Sequence, residues 1–532
     1  MSRESFSIRQ SPRESLFLEH HHDANGMISD PSHTSPASAS SQQSQDPERA
    51  DSSMSRLDEG PPDGGYGWVC TTCAFLINAH TAGVNSSWAI FLDYFVSHHT
   101  YPDATRWQYA LIGGLSISQS LIVSPVISVS NHFLGVRFTM VFGAVVVFLS
   151  MLAASYATEV WHLFLTQGFL FGWGTGFLYI TATSMLPPWF SSRQSLAVGF
   201  AASGAGIGGL GYTLAAGYLV NEFGVAWTYR FLAYCSLVFN LISAVLLKER
   251  GKALATEHRA FVGLKEFRRP EVLLIFTWGF LTQLGYISLL YSLPSYATSI
   301  GLTARQGSLL GALLNLGLGV GRPIIGYYSD AYGRINMALG MTVLCSLLCL
   351  VLWTLANSYG LLAVFAMASG AVCGTFWSAV PPILADVVGI QNFASSFGML
   401  CFSLVLPTTF ADSIAMALIR GTGEANYIPS QIFVGTMFVS GAVFLASLRA
   451  WKVWQCELRA PYADDQTSSL TSSTSPPPPP PPPSRSSQSP QIQGPQAQQQ
   501  QHLPHQQLRS PESAVPSQWW LTPKRMFALK RI

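Results

Sequence analysis

Between residues 66 and 455 the chain repeatedly runs for roughly twenty residues or more with almost no charge. Backbone N–H and C=O groups in such runs find no water in lipid, so they are satisfied only in helices or closed barrels. About 20 residues is the helical length for a ~30 Å hydrocarbon core. Barrel strands are about half as long and alternate in polarity, and these runs do not alternate. Asp, Glu, Lys and Arg make up 11% of the 532 residues, under half the ~25% of a soluble domain. They gather at the two ends and in one central loop.

The apolar runs predict twelve spans, at about 68–95, 108–129, 138–157, 160–186, 195–220, 227–247, 272–296, 304–327, 335–356, 359–384, 393–419 and 428–450. The domains expected are a disordered tail 1–60, a six-helix bundle 61–247, a central loop 248–270, a second bundle 271–455 and a Pro/Gln-rich tail 456–532. Residues 1–60 lack an apolar signal core, so span one is expected to act as its own insertion signal. Lys248, Arg250, Lys252, Arg259, Lys265, Arg268 and Arg269 crowd the central loop, with Arg137, Arg193, Arg334 and Lys452 on the same side. By the positive-inside rule both termini and this loop are cytoplasmic. The net charge of +2 points to no partner class. Seven of the eight cysteines fall in apolar segments, which is no secreted disulfide framework.

The halves echo each other. Gly135-Val136-Arg137 recurs as Tyr332-Gly333-Arg334, and Pro187-Pro188 recurs as Pro381-Pro382, at the ends of spans four and ten. Six plus six spans around a long middle loop is the major facilitator pattern. The fold expected is an all-α polytopic membrane protein of that kind, with twelve transmembrane helices in two six-helix bundles.

At the mouth of span one stands Asp63-Gly64-Gly65-Tyr66-Gly67-Trp68, and between spans four and five Trp189-Phe190-Ser191-Ser192-Arg193-Gln194-Ser195-Leu196-Ala197-Val198-Gly199. Over about residues 61–455 the chain resembles the monocarboxylate transporter family of the major facilitator superfamily, in its fungal branch. Ser192 and Gln194 stand where that family has basic residues. The resemblance implies a carrier that alternates access. It also implies a span-one lysine and a span-eight aspartate for proton coupling, but those positions hold Ser86 and Leu318. The family's span-eight arginine is kept as Arg322, followed by Pro323. Fungal members handle other cargo, such as riboflavin, so the resemblance leaves open a monocarboxylate or a riboflavin-like solute.

Charges inside a bilayer mark function or a packed polar contact, and only Arg322 and Asp412 lie well inside the spans. Arg322 either clamps an anionic oxygen of the cargo with its planar fork or pairs with a group such as Asp330. Asp412 either lines a wet cavity, as a proton or cation site, or lies near the outer interface. The resemblance places spans one, four, seven and ten around the cavity. Asn78 and Asn85, seven residues apart on a regular helix, share a face and are candidates to bind cargo or bond between helices. Tyr179, Gln283, Tyr286 and Trp377 are candidate cargo contacts for a planar solute; packing is the alternative for each. His80 is a candidate proton group or a packed histidine. Arg193, with Gly204, Gly208, Gly211, Gly317, Gly319 and Gly321, is assigned to gating and to close packing of spans five and eight.

No metal cluster, nucleophile elbow or phosphate loop is present in the sequence. An enzyme, a cofactor and nucleic-acid binding are therefore not expected. The leading reading is a secondary transporter of a small organic solute in the lipid bilayer. The plasma membrane is the first location and the vacuolar membrane the second. The alternative is a nutrient sensor signalling through its tails. Pro476–Pro483 suits polyproline II recognition by an SH3-type partner, or a plain tail. Trp519, Trp520 and Phe527 among basic residues suit an anionic membrane surface.

Overall fold

A computed structural model of the chain describes residues 63–102, 104–250, 269–419 and 424–472, all within one compact unit. The tail 1–60, residues 251–268 of the central loop and the chain beyond 472, with its aromatic-basic end, lie outside the described residues; residues 456–472, expected to begin a disordered tail, instead continue the span-twelve helix. Among the described residues every regular element is helical. Span one is cut into Tyr66–His80, Ala82–Ser86 and Trp88–Ser97. Span two is the pair Arg106–Ile122 and Ser124–Phe133, bent at Val123 ahead of Pro125. Span three is Val136–Ala154, and span four runs through a π stretch, Phe164–Leu170, into Phe171–Ser184. Spans seven, eight and nine begin at Pro270–Ser299, Ala304–Tyr332 and Arg334–Leu347. Span ten is Tyr359–Cys373 plus Thr375–Val388, span eleven Ile390–Ser403 plus Val405–Ala417, and span twelve starts the helix Glu424–Ser472.

Spans five and six differ from expectation. They form one helical run, Gln194–Leu246, interrupted only by Gly224 at φ 80° and ψ 169°. A left-handed φ is open to glycine without a Cβ clash, so one residue replaces the loop expected at 221–226. Among the described residues nine helices are long and apolar enough to cross a bilayer singly, and the bent pair of span two makes a tenth. Dividing the long run at Gly224 and joining the pieces of span one completes twelve crossings.

The proline echo also differs in structure. Pro187–Trp189 is a 3-10 turn beyond the end of span four, whereas Pro381 and Pro382 lie inside Thr375–Val388. Gly374 restarts span ten, so its prolines fall well before the helix end.

The end that carries Arg137, Arg193, Lys248 and Arg334 is called the basic end below. One buried cluster fills the N-terminal half, around Phe91, Met140, Leu178 and Tyr229. Another fills the C-terminal half, around Leu293, Leu314, Trp353 and Phe365. A third belongs to both: Leu121, Ile127, Phe177 and Ile180 meet Phe376, Val380, Phe393 and Phe397. This shared cluster joins spans two and four to spans ten and eleven. The outer faces expose large apolar side chains such as Phe138, Leu149, Val245 and Leu355, as contact with lipid requires.

Candidate functional site

The two motifs that carry the resemblance meet in space. Asp63 accepts the Ser191 amide at 2.7 Å, the Ser192 amide at 2.9 Å and both serine hydroxyls. The Arg193 amide joins at 3.4 Å, while its side chain is exposed. Gly67 has no side chain because a Cβ there would stand 3.0 Å from the Phe190 ring. Trp68 meets Phe190 edge-on at 5.2 Å, and Tyr66 lies against Trp189 at 6.0 Å. Acid, glycines and aromatics thus clasp the turn between spans four and five.

That turn is held from the other half as well. Asp330, near the end of span eight, accepts the amides of Ser195 at 3.0 Å and Leu196 at 2.9 Å. These are open donors in the first turn of the span-five helix, where negative charge is favoured. Arg334 donates to the Ser191 carbonyl at 2.8 Å and to Asp386 at 2.6 Å. The basic end is therefore latched shut in this structure. Along the seam above the latch, a Cβ on Gly199 would fall 2.5 Å from the Arg322 carbonyl, and one on Gly206 2.5 Å from that of Asn315.

The glycines expected to form this seam are mostly not the ones that do. Gly204 and Gly208 abut Phe75 and Ala79 of span one, and Gly317 and Gly321 abut Met367 and Ala371 of span ten. Gly211 faces open space. The contact between halves is made by Gly199, Gly206, Gly209, Gly319 and Gly326. The reason is helical phase. Gly204 and Gly208 share a face, and Gly206 points about 200° away from Gly204; Gly317, Gly321 and Gly319 repeat the pattern.

Arg322 lies above the shared apolar cluster, only 3% exposed. It donates to the Ala202 carbonyl at 2.6 Å, and its Nε has no partner. Tyr286 of span seven and Tyr179 of span four lie within its electrostatic reach. Tyr179 meets Trp377 of span ten edge-on at 5.7 Å. These three aromatics are half-buried and belong to both halves. Among the described residues Arg322 has no carboxylate partner, and Asp330 is engaged in the latch instead. Gln283, one helical turn before Tyr286, is 1% exposed with both amide atoms unpartnered. Unsatisfied buried amides and guanidinium nitrogens are costly, and a polar ligand satisfies them. Arg322, Tyr286, Tyr179 and Trp377 thus form one constellation, a buried guanidinium among aromatic side chains of both halves.

The other candidates sit apart. Span one breaks at Thr81, with φ −121° and ψ −80°, so Asn78 and Asn85 do not share a regular face. Asn78 is buried and donates to the Ala74 carbonyl at 2.9 Å, while Asn85 accepts from Ser116 at 2.9 Å. His80 bonds the Tyr212 hydroxyl and stacks on Phe239 at 4.2 Å, packed against spans five and six. Asp412 is 8% exposed and has no hydrogen bond or ion pair among the described residues. Its electrostatic neighbour is Tyr291 of span seven. The latch residues Asp330 and Ser195 were legible only as a charge and a helix start, since their pairing depends on how the halves dock. All eight cysteines are free.

The Major Facilitator Superfamily family model matches residues 68–405, and again 279–519. The uncharacterized transporter ESBP6 of Saccharomyces cerevisiae is 32% identical over 407 residues, spanning 74% of this chain and 60% of that one. The probable transporter MCH2 of the same yeast is 30% identical over 426 residues, 76% of this chain and 87% of that protein. Human monocarboxylate transporter 12 is 26% identical over 434 residues, 74% of this chain and 82% of that protein. Among solved structures, the proton:xylose symporter XylE bound to 6-bromo-6-deoxy-D-glucose superposes with a TM-score of 0.57 at 14% identity, over 71% of this chain and 95% of that one.

Proposed function

This chain belongs to the major facilitator superfamily, as a relative of fungal transporters and of an animal monocarboxylate transporter, and from that premise we propose that it carries small organic monocarboxylates across the membrane by alternating access. The observation that carries the cargo class is Arg322, a buried guanidinium with an unpartnered Nε, set beside Tyr286 and without a carboxylate partner among the described residues. A carboxylate supplies the missing acceptor in bidentate geometry. Tyr179 and Trp377 then face the organic body of the cargo. The printed name of the human relative supports the same class. The basic end is read as cytoplasmic by the positive-inside rule, and the plasma membrane as the location. With the cytoplasmic end latched, cargo enters from the other face, binds at Arg322 and is released inward when the latch opens.

The test is uptake of labelled lactate and of labelled riboflavin into proteoliposomes holding the full-length protein. Saturable lactate flux is expected. Arg322→Ala should reduce it roughly 10- to 150-fold, the equivalent of losing a charged hydrogen-bonded contact of about 1.5–3 kcal/mol. Riboflavin flux without lactate flux, or lactate flux indifferent to Arg322→Ala, would overturn the monocarboxylate assignment.

A further inference from the structure

Asp412 is a buried carboxylate that the Arg322 constellation does not use. It lies in the second segment of span eleven, five residues before Ala417, so about 7.5 Å below the helix end opposite the basic end. We propose that Asp412 is the proton-carrying group of this transporter, loaded from the face opposite the basic end and linked to Arg322 through Tyr291 and Tyr286. The proposal rests on the carrier reading above for its cargo, but the proton site itself does not require that cargo.

The surroundings of Asp412 argue for a proton. Four elements pack against Val405–Ala417: spans two, seven and twelve, and its own preceding segment. Span seven offers the Tyr291 hydroxyl and, behind it, Tyr286. Span two offers Tyr109, which stacks on Phe95 within the N-terminal half. Span twelve offers Tyr427, which meets Tyr296 edge-on. The preceding segment offers Cys401, packed in the shared cluster near Tyr179. None of these gives Asp412 a cationic partner among the described residues. A lone ionised carboxylate in such a place is too costly to persist. The neighbouring Thr408 and Thr409 hydroxyls donate to the Leu404 and Val405 carbonyls and not to Asp412, so no hydrogen bond steadies an ionised carboxylate there. A single proton meets the need.

Tyr291 ties this group to both halves. Its hydroxyl would lie 3.6 Å from a Cβ on Gly113 of span two, where Trp88 of span one also packs. Gly114 in turn approaches the Thr409 carbonyl, with a Cβ there at 3.3 Å. Asp412 therefore sits where the halves touch on the side opposite the basic end. Tyr291 and Tyr286, five residues apart on one helix, span about 7.5 Å of the height between Asp412 and Arg322. In the loaded carrier the cargo carboxylate neutralises Arg322, and Asp412 is the acid, its proton drawn from external water as the emptied carrier returns to that side. Neither buried charge is then left bare, and the carrier turns over without trapping an ion. After the turnover the acid returns its proton to water on the basic side. This assigns to span eleven a coupling role at a position distinct from Ser86 and Leu318.

Two measurements test it in the full-length protein in bilayers. The first imposes a pH gradient of one unit across proteoliposomes and follows labelled lactate. One proton per solute drives about tenfold accumulation. Wild type should approach that ratio, Asp412→Asn should equilibrate near unity while still exchanging lactate, and Asp412→Glu should restore accumulation. Accumulation by Asp412→Asn equal to wild type would overturn the proposal, as would lactate flux in wild type that ignores the gradient. The second uses no cargo. Infrared difference spectra across a pH titration should show a protonated-carboxyl band in wild type that is missing in Asp412→Asn. Its absence from wild type between about pH 5 and 8 would overturn the proposal even if no lactate moved; its presence without lactate flux would support the proton site and refute only the cargo.

Discussion

Asp63 shows how much one carboxylate outside the spans can organise. Slight burial pushes its carboxyl up, but the hydroxyls and amides of Ser191 and Ser192 outweigh that and hold it well below the usual carboxylate range. Because the folded value lies under the unfolded one of about 3.9, the stabilisation is fully present above that value. It is lost only as pH falls through the folded one. From about pH 5 to about pH 8 the clasp is therefore constant, and any pH response of transport in that window has another source. Asp63→Asn removes the charge but keeps the shape. It should cost about 0.5–2 kcal/mol, as loss of a helix cap does. Hydrogen exchange at the amides of 191–193 should quicken roughly 3- to 30-fold; unchanged rates at neutral pH would show that the charge contributes nothing. Much at this scale was readable beforehand. An arginine and an aspartate inside apolar runs stand out because lipid tolerates so few. Arg322 lies within electrostatic reach of Tyr179 and Tyr286, and Tyr179 packs on Trp377. That Asp63 serves the turn 128 residues away was not readable, because hydrogen bonds across a fold leave no spacing in the chain.

At the scale of elements, length is legible and azimuth is not. An apolar run long enough to cross the bilayer announces a span whatever it packs against, and most expected ends needed only small adjustment or a kink. Two did not fit: spans five and six join without a loop through the backbone freedom of Gly224, and the span-twelve helix runs on to Ser472, past the end expected at 450. Which neighbour a glycine faces depends on the docking of whole helices, so a row of small residues at 204, 206, 208 and 209 reads as one stripe when it is two. The distinction has measurable consequences. A Cβ on Gly208 would lie 2.5 Å from the Ala79 carbonyl, inside one half. Gly208→Ala should therefore lower the melting temperature of the purified protein, at about 1–3 kcal/mol for overpacking. Gly206→Ala presses on span eight instead, and the halves can part to relieve it. Its melting temperature should fall less, while the basic end opens. Gly211→Ala meets nothing and should raise stability by up to about 1 kcal/mol from helix propensity. A thermal series in which 206 and 208 behave alike would mean that the seam is no softer than the interior of a half.

For the molecule as a whole, the question is what holds two bundles in one arrangement when the same chain must visit another. The apolar cluster shared by spans two, four, ten and eleven favours closure of the basic end but has no direction of its own, since lipid-like surfaces slide. Direction comes from the latch, where Asp330 meets the first amides of span five and Arg334 meets the Ser191 carbonyl. These bonds exist only while the basic end is shut, so they bias the equilibrium between states rather than the stability of either half. Removing the Asp330 charge should cost the closed state about 0.5–2 kcal/mol. That shifts the balance toward the basic-side-open state roughly 3- to 30-fold. Asp330→Asn and Arg334→Ala act on the same turn, so their combined effect should fall short of additive. Cys401 gives the readout, because it is wholly buried in the shared cluster and no substitution is needed to create it. Its alkylation, followed by mass spectrometry in full-length protein, should quicken in both variants, with exposed Cys456 reacting at the wild-type rate as the internal control. The melting temperature should stay near that of wild type. If Cys401 were to remain silent while the melting temperature fell, Asp330 would be a brace within the fold rather than a latch between its states.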